Sequence, residues 1–156
     1  MAIRNILQVG DDLLRKQSKP VTSFDRKLWQ LLDDIAETLH KEEGAGLAAP
    51  QIGVLRRIVV IDVGDGILEL MNPVVIREKG IQQEVEGCLS LPGKYALRKR
   101  PQVVEVKAMD RRGREFRITG KELLARALSH EIDHLNGVLF IDNIIRMVDS
   151  SEFNKK

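Results

Sequence analysis

Apolar positions recur with two different periods along the chain, and the change of period divides it. Leu28, Leu31, Leu32, Ile35 and Leu39 follow one another at three- and four-residue spacing, which predicts a helix with one buried face. Thr22 or Ser23, just after the Pro20 break, is the expected cap, and Glu43-Gly44 marks the end. Ahead of it, residues 11–15 read as a short turn. From Gly44 to Thr119 the runs are short and β-rich. They predict strands at 47–49, 58–63, 68–76, 81–88, 103–109 and 115–118, with Asp110-Arg111-Arg112-Gly113 as the turn of a hairpin joining the last two. Thr119-Gly120-Lys121-Glu122 has the spacing of a capping box. It opens a second helix that runs to Asn136-Gly137, after which 138–142 read as a short return strand or turn on that helix. The fold expected is α+β, with antiparallel β-sheets packed around a central C-terminal helix and a further helix near the N-terminus.

Composition narrows the classes without naming one. At 156 residues, 43% hydrophobic and 31% charged, the chain is expected to form one globular domain over 1–156, with 147–156 a short fraying tail. Its 25 Lys and Arg face 23 Asp and Glu, too small a surplus to predict direct nucleic-acid binding, and the clusters Arg56-Arg57, Arg98-Lys99-Arg100 and Arg111-Arg112 read as solvated faces. No apolar run approaches a membrane span and the N-terminus does not resemble a signal peptide, so a soluble, cytoplasmic protein is expected. Cys88 is the lone cysteine, which leaves it as a core thiol, a nucleophile or a metal ligand.

The second helix carries the strongest chemical pattern, His130-Glu131-Ile132-Asp133-His134. At 100° per residue His130, His134, Ala127 and Leu123 share one face beside an apolar stripe of Leu124, Leu128, Ile132 and Leu135, while Glu122, Arg126, Ser129 and Asp133 lie opposite. Two imidazoles at i and i+4 can meet one cation, and the intervening Glu131 can sit beside the water that the cation activates. The plainer alternative is a pair of core histidines satisfied by hydrogen bonds. Burying two His and a Glu together is costly without a charge partner, which favours a metal. A third ligand decides the class. In the metzincin pattern a third His would fall where Phe140 stands, and the later acids Asp142, Asp149 and Glu152 sit on a segment too short to fold back easily. Upstream remains Cys88 in Glu86-Gly87-Cys88-Leu89-Ser90; taken without the helix it would be read as an inert small hydrophobe. Gly44-Ala45-Gly46-Leu47-Ala48-Ala49-Pro50-Gln51 reads alone as a tightly packed loop entering a strand, and it offers the Gln51 amide as a donor to a developing oxyanion.

The three motifs in this order closely resemble the peptide deformylase family, over residues 9–142. The resemblance implies one metal per chain on Cys88, His130 and His134, usually Fe2+, with Zn2+, Ni2+ or Co2+ as substitutes. It also implies removal of the formyl group from the N-terminal formyl-methionine of nascent polypeptides. Glu131 is then the proton carrier, and Gln51 with the Leu89 N–H donates to the oxyanion. The peptide would lie beside Ala45, Gly46 and Gly87, with its Met side chain near Glu86, Leu123 and Ala127. The resemblance further implies a Glu86–Arg100 ion pair supporting the cysteine segment. Arg126 stands where relatives often carry an apolar pocket residue, which would alter the pocket rim, while the helical wheel equally directs it to solvent, the orientation favoured; His40 reads as a surface residue. Some relatives dock on the ribosome through a basic C-terminal helix. Here only Lys155 and Lys156 are basic after Met147, so at most a transient ribosome contact and a monomeric protein are expected. A hydrolase of other acyl amides and a non-enzymatic zinc module remain as alternatives; the open coordination position and Glu131 argue against the module.

Overall fold

The computed structural model describes residues 2–153. Helix α1 (Arg26–Lys41) is capped by Asp25, whose carboxylate accepts from the Leu28 N–H at 3.1 Å, rather than by Thr22 or Ser23. An acidic cap also places its charge at the positive end of the helix. There follow β1 (Gly46–Ala48), a 3-10 turn at Ala49–Ile52, β2 (Ile58–Ile61), β3 (Leu68–Lys79), β4 (Gln82–Cys88), β5 (Leu91–Arg100), β6 (Val103–Met109) and β7 (Glu115–Lys121). Then come α2 (Leu123–Leu135), a 3-10 turn at Phe140–Asp142, β8 (Arg146–Val148) and the single-turn α3 (Ser150–Phe153). The strands form a five-stranded sheet in the order β1-β2-β3-β6-β7 and a three-stranded sheet in the order β4-β5-β8, with antiparallel pairing throughout.

The run Ile58-Val59-Val60-Ile61 is buried at every position because the two long helices cover opposite faces of the sheet there. Ile58 and Val60 join Leu28, Leu32, Ile35 and Leu39 of α1, whereas Val59 and Ile61 join Ala125, Leu128, Ile132 and Leu135 of α2. A strand buried on both faces reads as continuous rather than alternating apolar sequence.

Three expectations need correction. Thr119 does not open a capping box: it sits in β7 opposite Glu105, the ladder continues to Lys121 against Val103, and Glu122 enters α2 at φ +53° with no side-chain cap. The strand pairing holds the backbone of Thr119 extended, so its hydroxyl never reaches a helix end. Residues 91–100, for which the apolar pattern predicts no element, form β5. The Arg98-Lys99-Arg100 run is expected as a solvated face, yet Arg98 and Arg100 are buried. The segment after residue 146 is more than a fraying tail, because Tyr95, Ala96 and Leu97 pair with Val148, Met147 and Arg146 and Val148 is buried. Lys155 and Lys156, on which the docking expectation turned, lie outside the described residues.

Candidate metal centre

The site forms where the β4 end of the small sheet meets α2. Cys88 closes β4, and a bulge between Glu86 and Cys88 shifts its register so that the strand leaves the ladder at the thiol. One turn of α2 separates His130 and His134, and both imidazoles point inward as the helical spacing predicts. A sulfur of Cys88 and one nitrogen from each histidine lie within 4.8 Å of one another, with Cys88 Sγ 3.4 Å from His134 Nε2. Tetrahedral metal sites place such a donor set around one cation.

His130 is held from behind. His130 Nδ1 lies 2.9 Å from Glu86 Oε1, which fixes the ring and leaves Nε2 facing Cys88 and Glu131. Glu86 in turn takes two hydrogen bonds from Arg100, at 2.7 and 2.9 Å, and Arg100 also reaches Asp133 Oδ2 at 2.7 Å. Burial opposes the charge on Glu86, but the Arg100 and His130 donors prevail and lower its pKa to about 2. The ion pair expected to support the cysteine segment is therefore present, and it joins β4, β5 and α2. The His130 ring also stacks on Phe140, with centroids 5.8 Å apart.

Glu131 and Gln51 are buried beside these groups. Burial is the main cause that raises the Glu131 pKa, to about 7, opposed by His130 and reinforced by Glu86. Its Oε1 has no hydrogen-bond partner among the described residues, and Oε2 lies 3.9 Å from His130 Nε2. Gly46 makes the space for this carboxylate: a Cβ there would stand 2.8 Å from Glu131 Cγ and Oε2. Gln51 sits on the turn after β1, where its Oε1 accepts from the Ala48 N–H at 2.9 Å. That bond orients the amide, so Nε2 faces Ser90 Oγ at 3.1 Å and Cys88 Sγ at 3.5 Å.

The residues present fit a divalent cation. Burial lowers the His134 pKa well below its usual range, which keeps the imidazole in the neutral, ligating form. Burial also disfavours charge on His130, but Glu131, Cys88 and Glu86 outweigh it and raise its pKa, so the surroundings of this ring attract positive charge. The orphaned buried oxygen of Glu131 is costly to leave unsatisfied, on a carboxylate whose other oxygen lies 3.9 Å from His130 Nε2.

A cleft of about 650 Å³ opens onto this cluster. Ala45, Gly46 and Gln51 line one wall, and Glu86, Gly87, Cys88 and Leu89 another. Leu123, Ala127, His130 and Glu131 contribute the α2 wall, while His134, 1% exposed, stands behind it. The structure thus brings all the expected site residues together. Arg126 departs from its expected orientation to solvent: it is half-buried, lines the cleft, and donates to Gln82 Oε1 at 2.7 Å. The Asp133 side of the helix meets the buried Arg100, not open water. His40 is exposed as expected, 2.9 Å from Asp62. Sequence reasoning missed the N-terminal segment, of which Ile3 to Ile6 and Gln8 line the cleft, because an extended stretch without periodicity carries no signal. It also missed Ser90, whose partnership with Gln51 only folding creates.

Fold and site together define a metal-dependent hydrolase of the HExxH kind with a cysteine beside its two histidines. The sequence profile described as polypeptide deformylase matches residues 3–150. The peptide deformylase of Thermoanaerobacter pseudethanolicus is 57% identical over 152 residues, covering 97% of this chain and 96% of that protein; that of Acetivibrio thermocellus is 53% identical over 156 residues, covering 100% and 92%. The crystal structure of the Thermotoga maritima peptide deformylase superposes with a TM-score of 0.91 at 39% identity, over 92% of this chain and 99% of that one. A Synechococcus elongatus peptide deformylase, solved in complex with actinonin, gives a TM-score of 0.88 at 42% identity over 90% and 78%. The chain belongs to the polypeptide deformylase family. No described helix is long and apolar enough to cross a membrane.

Proposed function

We propose that Cys88, His130 and His134 hold the metal ion with which this deformylase removes the formyl group, as formate, from the N-terminal formyl-methionine of nascent polypeptides. The observation that carries the assignment is the convergence of the three ligand atoms within 4.8 Å, next to a buried carboxylate with a free oxygen. A thiolate and two imidazoles suit Fe2+, the ion proposed here, and would also accept Zn2+, Ni2+ or Co2+. When bound, the cation supplies Lewis acidity, making water acidic and polarising the formyl carbonyl.

The protein's own groups then account for the proton and the developing charge. Glu131 accepts the proton of the attacking water through its unpartnered Oε1 and delivers it to the departing amine, so formamide bond and water become formate and a free N-terminus. Gln51 Nε2, aimed by Ala48 and Ser90, and the Leu89 backbone N–H donate to the oxyanion that forms in between. The peptide extends along Ala45, Gly46 and Gly87, with the Met side chain against Glu86, Leu123 and Ala127. The protein acts as a monomer formed from a single domain.

The test is formate release from formyl-Met-Ala and acetyl-Met-Ala, anaerobically with Fe2+, for the wild type and Glu131→Gln. The wild type should release formate and leave the acetyl peptide intact. Glu131→Gln should bind metal and lose roughly 10²–10⁴ in kcat/KM. Metal-loaded protein that leaves formyl-Met-Ala untouched would refute the assignment.

A further inference from the structure

We infer that the mouth of the cleft contains a carboxylate subsite centred on Arg126, which favours formyl-peptides bearing an acidic group one or two residues after the formylated one. The inference rests on the deformylase reading and deepens it. Among the ionisable groups that line the cleft, Glu86 is matched by Arg100 at 2.7 Å and Arg4 by Asp34 at 2.9 Å. Lys41, Lys94 and Arg126 line the same cleft and form no ion pair among the described residues, and Glu42 is the acid left at the mouth once Glu131 is assigned to the reaction. The opening thus carries an excess of positive charge, which a cleft with low-dielectric walls concentrates on an incoming ligand.

Arg126 is the fixed member of this group. Gln82, itself buried, donates through Nε2 to the carbonyls of Pro101 at 2.9 Å and Glu122 at 3.0 Å. Its Oε1 is thereby turned toward Arg126, and accepts from the guanidinium at 2.7 Å. One of the five guanidinium donors is used in this way, on a neutral partner, and the planar fork that remains matches a carboxylate. Arg126 precedes His130 by four residues on α2, a displacement of about 6 Å along the helix axis. Measured along α2, that displacement equals about two residues of an extended peptide, the reach that the subsite requires of an acid one or two residues after the formylated one. A carboxylate can come from an Asp or Glu side chain or from the free C-terminus of a short peptide.

Formate release by the metal-loaded full chain separates these cases. The substrates are formyl-Met-Ala-Xaa-amide and formyl-Met-Xaa-Ala-amide with Xaa Glu, Gln or Lys, and formyl-Met-Ala with a free or an amidated C-terminus. At low salt one Glu peptide should exceed its Gln counterpart by roughly fivefold in kcat/KM, mainly through KM, with Lys lowest and the ratio shrinking as salt is added. In Arg126→Gln the Glu-to-Gln ratio should approach one, and in Gln82→Met, which keeps the charge but loses its tether, it should fall part of the way. A preference confined to the free-acid peptide supports the subsite with a chain terminus as its occupant. Equal rates for all charges, or a preference that survives in Arg126→Gln, would overturn the subsite alone. No formate from any peptide would overturn the deformylase reading and the subsite with it.

Discussion

Ser90, outside the proposed ligand set, is positioned to govern the chemistry proposed for Gln51. Its hydroxyl is fully buried and receives one of the two Gln51 N–H bonds at 3.1 Å, while the Ala48 N–H fixes the other end of that amide at 2.9 Å. Removing the hydroxyl takes away the nearer of the two contacts at Gln51 Nε2, leaving the Ala48 bond to hold the amide from its other end and the donor less well aligned with the developing charge. Ser90→Ala should therefore lower kcat by roughly tenfold with little change in KM, part of the loss seen when an oxyanion donor is deleted outright. Steady-state kinetics on formyl-Met-Ala check this; a matched rise in KM would instead point to a peptide-binding role. Gly46 belongs to the same scale, since a methyl there would stand 2.8 Å from Glu131 Oε2. Gly46→Ala should displace the carboxylate and depress kcat, which the same assay reads.

At the scale of elements, Arg100 joins three of them by bonding Glu86 of β4 and Asp133 of α2 from its own place on β5. Arg100→Met would leave Glu86 buried, charged and tied to His130 alone. The expected cost is about 3–5 kcal/mol of stability, with metal affinity lowered roughly 10- to 100-fold, measurable by thermal unfolding and by metal titration. The same arginine explains what the sequence could and could not tell. The HExxH helix was legible because its two histidines repeat with the helical period and lie within five residues, and β6 was legible because its β-branched run matches Val103–Met109 end to end. β5 was not, because two of its three consecutive cations turn inward to partners that lie far away in sequence, and no local pattern distinguishes a buried arginine from a solvated one. The helix start at Leu123 was misplaced for a related reason: the ladder with β6 overrides a local capping preference at Thr119. Arg126 was misread on the helical wheel because the wheel carries no record of Gln82.

Over the whole molecule, the proposed metal ligands come from the small sheet and from the helix that packs on the large one, so metal binding is expected to be linked to folding. A chelator should lower the melting temperature of the wild type and leave that of Cys88→Ala nearly unmoved, since a ligand that binds only the folded state stabilises it by mass action. The cleft is also braced from its other side by the N-terminal segment, which no motif announced. Leu7 N–H donates to the Gln51 carbonyl and Val9 N–H to the Ser90 carbonyl, each at 2.7 Å, so this segment clamps both residues that set the amide donor. Asp34 of α1 anchors its start, accepting from the Ala2 N–H at 2.7 Å and from Arg4 at 2.9 and 3.0 Å. Burial disfavours charge on Asp34, but these donors and Gln30 outweigh it and lower its pKa. A carboxylate whose pKa is lower folded than unfolded contributes stability above the unfolded value, about 3.9, and loses it as pH falls through the folded value. Asp34→Asn should therefore melt below the wild type at neutral pH, with the gap closing below about pH 4 as the wild-type carboxyl protonates. If the segment braces the cleft as its hydrogen bonds indicate, the same variant should also lose deformylation rate at neutral pH, and melting curves and formate release across that range should change together.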